Sequence, residues 1–153
     1  MKGKPLMSDY LEFKIDKFTF RVATDRYYSV EGVWVKKESG KFKLGISDYQ
    51  QQRSGDVAFV EVKPEGTELQ VGAEFATIET IKVDISLPSP LTGRIAQSNP
   101  LITATPETIN QDPYGDGWLA IIEPYAGEDG FNLLLEPQAY FNKIKLEAEQ
   151  DTR

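Results

Sequence analysis

The sequence contains neither cysteine nor histidine. Without cysteine there is no disulfide scaffold, no thiolate nucleophile and no cysteine metal site. Without histidine the commonest general base and metal ligand is missing. Carboxylates or lysine could still do chemistry, but the usual catalytic triads cannot be assembled. Long apolar runs are missing too. Nothing approaches the roughly 20 residues of a membrane span, and the opening MKGKPLMSDY lacks the apolar centre of a secretory signal. Positive charge is scarce: 17 basic residues stand against 24 acidic ones, a net charge of −7. Binding to nucleic acid or anionic membrane in general displaces counterions with positive charge, so neither partner is expected. The chain reads as soluble and cytoplasmic, and more easily a carrier or scaffold than an enzyme.

What is present fits an ordered β-rich domain. The 153 residues, 40% hydrophobic and 11% aromatic, suffice for a real core. Tyr10 to Val22 alternates apolar positions on either side of Asp16-Lys17, giving two short strands or one bent one. Val33 to Lys37 and Lys41 to Ile46 flank Glu38-Ser39-Gly40, a hairpin signal. Ser47 is placed to cap a short helix through Arg53, with Asp48 against its dipole and Gly55 at its end. Val57 to Val62 reads as a strand and Pro64-Glu65-Gly66 as a turn. Thr105-Pro106-Glu107 predicts a helix start, ending near Gln111 before Pro113. Asp112 to Gly117 reads as an ordered loop and Trp118 to Glu123 as a core strand. A last helix begins at Glu136-Pro137, with Tyr140, Phe141 and Ile144 facing inward. The organisation expected is N-terminal strands over 1–24, the main domain with its C-terminal helix over 25–146, and a frayed tail over 147–153. About eight short strands with peripheral helices predict an antiparallel sandwich or barrel.

The stretch Phe75 to Gly93, FATIETIKVDISLPSPLTG, stands apart. Two strands meet at a tight turn carrying Lys82. Alternation sends Phe75, Thr77, Glu79 and Ile81 one way and Ala76, Ile78 and Thr80 the other. Pro88 and Pro90 bar a regular central strand, Gly93 permits a bend, and Thr92 to Gln97 resumes a strand. A lysine at such a tip is exposed and open to modification. Taken alone, it is equally a solvated surface residue.

Four motifs in order bear on that choice. Glu79-Thr80-Ile81-Lys82, Ser89-Pro90-Leu91-Thr92-Gly93, Gly45-Ile46-Ser47-Asp48-Tyr49 with Gly55-Asp56, and Ile109 through Leu119 resemble the glycine cleavage system H-protein family, a group of lipoyl carriers. The resemblance runs from Tyr28 to Tyr140. It implies a mainly β fold, a lipoyl-type barrel-sandwich hybrid of two antiparallel sheets with a few short helices and a C-terminal helix. It also implies a lipoyl group in amide linkage on Lys82, with Glu79 and Gly93 read by a lipoate ligase or lipoyl transferase. Biotin carriers share the fold but usually flank the lysine with methionine, whereas here Ile81 and Val83 flank it.

One departure bears on the cargo. Family members typically have His-Glu-Trp where this chain has Gly32-Val33-Trp34, and alanine where it has Val83. The His-Glu pair lies near the surface onto which the family's loaded arm folds. Two lipoyl-carrier readings follow from the resemblance. In one, an aminomethyl group passes between glycine decarboxylase, aminomethyltransferase and dihydrolipoamide dehydrogenase. In the other, sulfur intermediates are held beside a heterodisulfide-reductase-like sulfur-oxidising complex. A lipoyl reservoir for other acceptor proteins and an unmodified scaffold are the remaining readings.

Overall fold

The computed structural model describes residues 9–125 and 130–151. Within them, eleven strands and four α-helices follow one another along the chain. Strands β1 (Tyr10–Ile15) and β2 (Phe18–Ala23) form a hairpin of their own, turning through Asp16 at φ +55°. A six-stranded antiparallel sheet runs β3 (Tyr27–Tyr28), β4 (Val33–Glu38), β5 (Lys41–Ile46), β11 (Ala120–Pro124), β10 (Gly93–Ser98) and β7 (Glu68–Leu69). A second antiparallel sheet orders β6 (Val57–Val62), β8 (Glu74–Thr80) and β9 (Asp84–Pro88). The two sheets share one apolar core, with Val33, Val35, Leu44 and Ile122 from the first and Val60, Phe75, Ile78 and Leu87 from the second. The mainly β sandwich expected from the sequence is therefore present. The N-terminal hairpin adds a third sheet.

Strand β4 is buried on both faces: Val33, Trp34 and Val35 are all fully enclosed. Val33 and Val35 enter the sandwich, while Trp34 faces a second cluster made by Phe13, Phe20 and Val22 of the hairpin with Tyr28, Tyr49, Tyr140 and Ile144. That cluster joins the hairpin to α1 (Asp48–Ser54) and α4 (Pro137–Asp151). Tyr28 and Tyr140 stack with ring centroids 4.4 Å apart and planes 2° from parallel. Arg26, itself buried, lies over the Trp34 ring at 4.5 Å and donates to the Tyr114 carbonyl at 2.9 Å.

Helix α1 has the predicted termini. The Ser47 Oγ accepts from the Gln50 N–H at 3.1 Å, and the Gly55 N–H donates to the Gln51 carbonyl. Elsewhere the structure corrects the reading. The helix expected from Thr105 forms only as α3 (Thr108–Gln111), ending where predicted, and a further short helix, α2 (Pro100–Ala104), precedes Thr105. Asn99 caps α2 with Pro100 at its first position, and the Thr105 hydroxyl closes α2 on Leu101 instead of opening α3. The strand expected from Trp118 begins at Ala120. The fraying expected over 147–153 is absent through Asp151, and residues 152 and 153 lie outside the described residues. Helix α4 continues to Asp151 because Ala148 is buried against the hairpin cluster, and Arg53 pairs with Glu147 and Asp151.

Candidate functional site

Strand β8 ends where the core stops. Ile78 is buried, Glu79 is exposed, and Ile81 and Lys82 stand in solvent at the turn into β9. The alternation predicted for β8 holds from Ala76 onward. Phe75 departs from it: a bulge opposite Pro88 and Leu87 places Phe75 in the core together with Ala76. Pro88 closes β9, an edge strand, where its missing N–H costs no ladder bond.

The tip is braced by one side chain. The Thr80 hydroxyl donates to the Val83 carbonyl at 2.9 Å and accepts from the Lys82 and Val83 N–H groups at 3.1 and 3.0 Å. The Ile81 N–H donates to the Asp56 carbonyl at 3.2 Å, tying the turn to the segment leaving α1. Sequence reasoning gave Thr80 no role of its own. A hydroxyl residue opening a tight turn was the available signal.

Lys82 folds back over the end of α1. Its Nζ donates to the Arg53 carbonyl at 3.1 Å, one of the carbonyls left open at a helix C-terminus. The stem crosses Gly55, where a Cβ would stand 3.0 Å from Lys82 Cδ. Gly55 has φ +90°, so the residue that ends the helix also makes the bed for the lysine.

Of the predicted site residues, Lys82 and Glu79 come together and Gly93 does not. Glu79 pairs with Asp84 across the turn that carries the lysine. Gly93 opens β10, beyond the far end of β9, on the order of 15–20 Å away at ~3.3 Å per strand residue. It is no bend either, being paired with Pro124 on one side and Leu69 on the other as the first residue of β10. A Cβ at Gly93 would meet the Glu123 carbonyl oxygen at 2.4 Å and Ile122 Cγ2 at 2.8 Å. Close approach of β11 is what requires glycine there. Asp56 and Asp84 lie by the tip. Asp48 and Asp112 are occupied locally, accepting from the Arg21 N–H at 3.0 Å and the Asp116 N–H at 2.8 Å.

Gly32 and Val33 offer no polar side chain to any surface. Gly32 has φ +90°, and a Cβ there would stand 3.2 Å from both Gln50 Oε1 and the Tyr140 hydroxyl. Val33 is wholly in the sandwich core.

The family profile described as "Glycine cleavage H-protein" matches residues 26–147. This chain belongs to that family. The glycine cleavage system H protein of Bacteroides fragilis is 39% identical over 107 residues, covering 70% of this chain and 85% of that one. That of Oceanobacillus iheyensis is 37% identical over 116 residues, covering 76% and 91%. The crystal structure of a glycine cleavage system H protein from Mycobacterium marinum aligns with TM-score 0.73 at 28% identity, over 81% of this chain and 99% of that one. H-proteins are non-catalytic carriers with lipoate bound covalently to a lysine, and they work with the other enzymes of the glycine cleavage system. The site suits that group: an exposed amine, a braced turn, and a glycine bed that any side chain at 55 would fill. Among the described residues no helix is long and apolar enough to cross a membrane.

Proposed function

We propose that Lys82 is the lipoyl attachment site and that the chain serves as the lipoyl carrier of glycine cleavage. The observation that carries this is the Lys82 tip itself, presented clear of the sandwich by the Thr80 brace in a member of the H-protein family. When bound, lipoate supplies a strained dithiolane that opens by thiol–disulfide exchange.

The protein's own residues present and orient. Thr80 fixes the turn, so the amine meets a ligase in one backbone geometry. Glu79, exposed beside it, is the acid the ligase or transferase reads. Gly93 contributes by seating β10 against β11, which sets where β9 leaves the tip. Arg53 and Gly55 guide the lysine stem along α1. The exposed Ile81 and Val83 beside Lys82 give partner enzymes an apolar contact, ringed by Asp56, Glu79 and Asp84. The absence of cysteine leaves no internal thiol to capture the arm.

The test is intact mass after incubation with a lipoate ligase, ATP and lipoate. The wild type gains one lipoyl group and Lys82→Arg gains none. An unmodified wild type sinks the assignment.

One observation favours a second cargo. Val33 and Gly32 replace a polar pair with a buried methyl-bearing side chain and bare backbone, so these two positions supply no charged partner for a cationic aminomethyl adduct, and the carboxylate beside them is the exposed Glu31. That is the ground for carriage of sulfur intermediates beside a heterodisulfide-reductase-like complex. Loading of the lipoylated chain by a pyridoxal-phosphate glycine decarboxylase with glycine, read by mass, supports the glycine reading. No loading, with an authentic H protein loading in parallel, supports the sulfur one.

A further inference from the structure

The N-terminal hairpin lies outside residues 26–147, the part that matches the family, and its two edges are finished differently. The Thr24 N–H donates to the Asp9 carbonyl at 2.9 Å, which sets the parity of the ladder. In the observed register, Leu11, Phe13 and Ile15 of β1 then bond across to Val22, Phe20 and Phe18 of β2. The alternate residues turn their N–H and C=O groups outward, away from the hairpin.

On β2 those outward groups are taken up by side chains. The Arg21 N–H donates to Asp48 at 3.0 Å, and Gln52 Nε2 donates to the Thr19 carbonyl at 2.9 Å. The Tyr114 hydroxyl donates to the Arg21 carbonyl at 2.8 Å and the Tyr28 hydroxyl to the Ala23 carbonyl at 2.6 Å. That edge is sealed. On β1 the outward groups belong to Tyr10, Glu12 and Lys14, and among the described residues none of these backbone groups has a partner. A bare strand edge is a template for another strand.

We propose that the β1 edge pairs antiparallel with β1 of a second copy, about a twofold axis at Phe13, joining two hairpins into one four-stranded sheet. The strand Tyr10-Leu11-Glu12-Phe13-Lys14-Ile15 complements itself when reversed about Phe13. Glu12 then stands opposite Lys14 of the second copy, twice, and both are residues whose backbone groups face the edge, so they exchange hydrogen bonds. A slip by one residue sets outward groups against inward ones and flips the faces. The neighbouring registers that keep the parity place Glu12 opposite Glu12 or Lys14 opposite Lys14, and like charges directly opposite disfavour both. Within one chain Glu12 pairs with Arg21 at 2.6 Å, whereas the exposed Lys14 forms no ion pair with another described residue. The second copy supplies its partner. On the other face Leu11 meets Ile15 and Phe13 meets Phe13. Leu11, Ile15 and Phe141 are only half-buried in the hairpin's cluster, and pairing removes more of them from water. Helix α1, whose Arg53 carbonyl holds Lys82, is tied to β2 through Gln52, so the lysine tip stays clear of the paired edge. The pairing is independent of lipoylation.

The test follows the full, unmodified chain by sedimentation velocity over roughly 10–500 μM, the range of a small, weak interface. The mass should rise from 17.2 kDa toward twice that value. Lys14→Glu, at an exposed position opposite Thr19, should keep its melting temperature and weaken association several-fold. Glu12→Lys should weaken it likewise. An equal mixture of the two variants should associate again, because every cross-strand charge pair is then of opposite sign; a merely structural effect of either substitution would not be rescued by mixing. In wild type, hydrogen exchange of the Tyr10, Glu12 and Lys14 amides should slow as concentration rises, while the Arg21 amide, bound to Asp48, is slow throughout. A chain that stays monomeric over the whole range overturns the proposal. So does a dimer that Lys14→Glu leaves unchanged, which pairs through another surface. Protection of the three β1 amides in the dilute monomer overturns it too, because the edge is then closed within one chain.

Discussion

The Lys82 side chain lies across Gly55, where a Cβ would stand 3.0 Å from Lys82 Cδ. Two functions meet at this glycine. Its φ of +90° lets α1 end, and its lack of a side chain lets the lysine lie down.

Gly55→Ala should therefore disturb both. The left-handed backbone strains any L-residue, and the cost expected is about 1–2 kcal/mol in urea unfolding. The Lys82 stem must also lift, so the Nζ contact with the Arg53 carbonyl is lost, and the Lys82 amine signals should sharpen toward those of a free lysine in NMR spectra. Unchanged stability together with an unchanged Lys82 signal would refute the bed.

Gly93→Ala tests a different kind of glycine. The Glu123 carbonyl, 2.4 Å from the added Cβ, is backbone within a paired strand and cannot turn aside. Overpacking of this kind costs about 1–3 kcal/mol, and the upper end is expected here. Melting temperature and lipoylation rate should fall together. Full stability with lost lipoylation would show instead that a ligase reads this glycine directly.

Ser47 holds two structures at once. Its Oγ caps α1 through the Gln50 N–H and lies 2.6 Å from the buried Tyr140 hydroxyl. Ser47→Ala should cost about 2–3 kcal/mol, the sum of a lost cap and a stranded phenol. Tyr140→Phe keeps the cap and should cost less. The double variant should fall short of the sum of the two, which chemical denaturation of the four proteins would measure.

The same phenols predict an alkaline limit. Burial, above all, pushes the Tyr28 and Tyr140 hydroxyls well above the ordinary tyrosine range. Their folded pKa values exceed the unfolded ones, so this contribution is complete below about pH 10 and declines as pH rises beyond it. Each buried phenol should remove about 1.4 kcal/mol per pH unit there. Unfolding monitored by phenolate absorbance should shift to lower denaturant above that pH, and Tyr140→Phe should flatten the slope.

Local chemistry was legible wherever a signal and its effect lie within a few residues. Ser47 capping α1, Gly55 ending it, and the β4–β5 turn all formed as their sequence indicates. The same local logic failed at Thr105, because a hydroxyl can close one helix as readily as open the next, and here it donates to the Leu101 carbonyl that the Thr105 N–H also reaches. It failed at Phe75, where the bulge opposite Pro88 breaks the period of two. It failed at the tail because polar Glu147 and Asp151 find their partner in Arg53, far along the chain.

By itself, then, the sequence determined that a turn carrying Lys82 would emerge from an antiparallel sandwich, and that nothing else in the chain offers cysteine or histidine chemistry. Periodicity, turn residues and motif spacing are local quantities, and they suffice for that. Only the tertiary structure decided what surrounds the lysine. It laid the stem on Gly55, pointed the amine at Arg53, separated Gly93 from the tip by the length of β9, and sealed Val33 in the core. These are contacts between segments tens of residues apart, set by how two sheets and a hairpin share their apolar faces, and no local pattern encodes them.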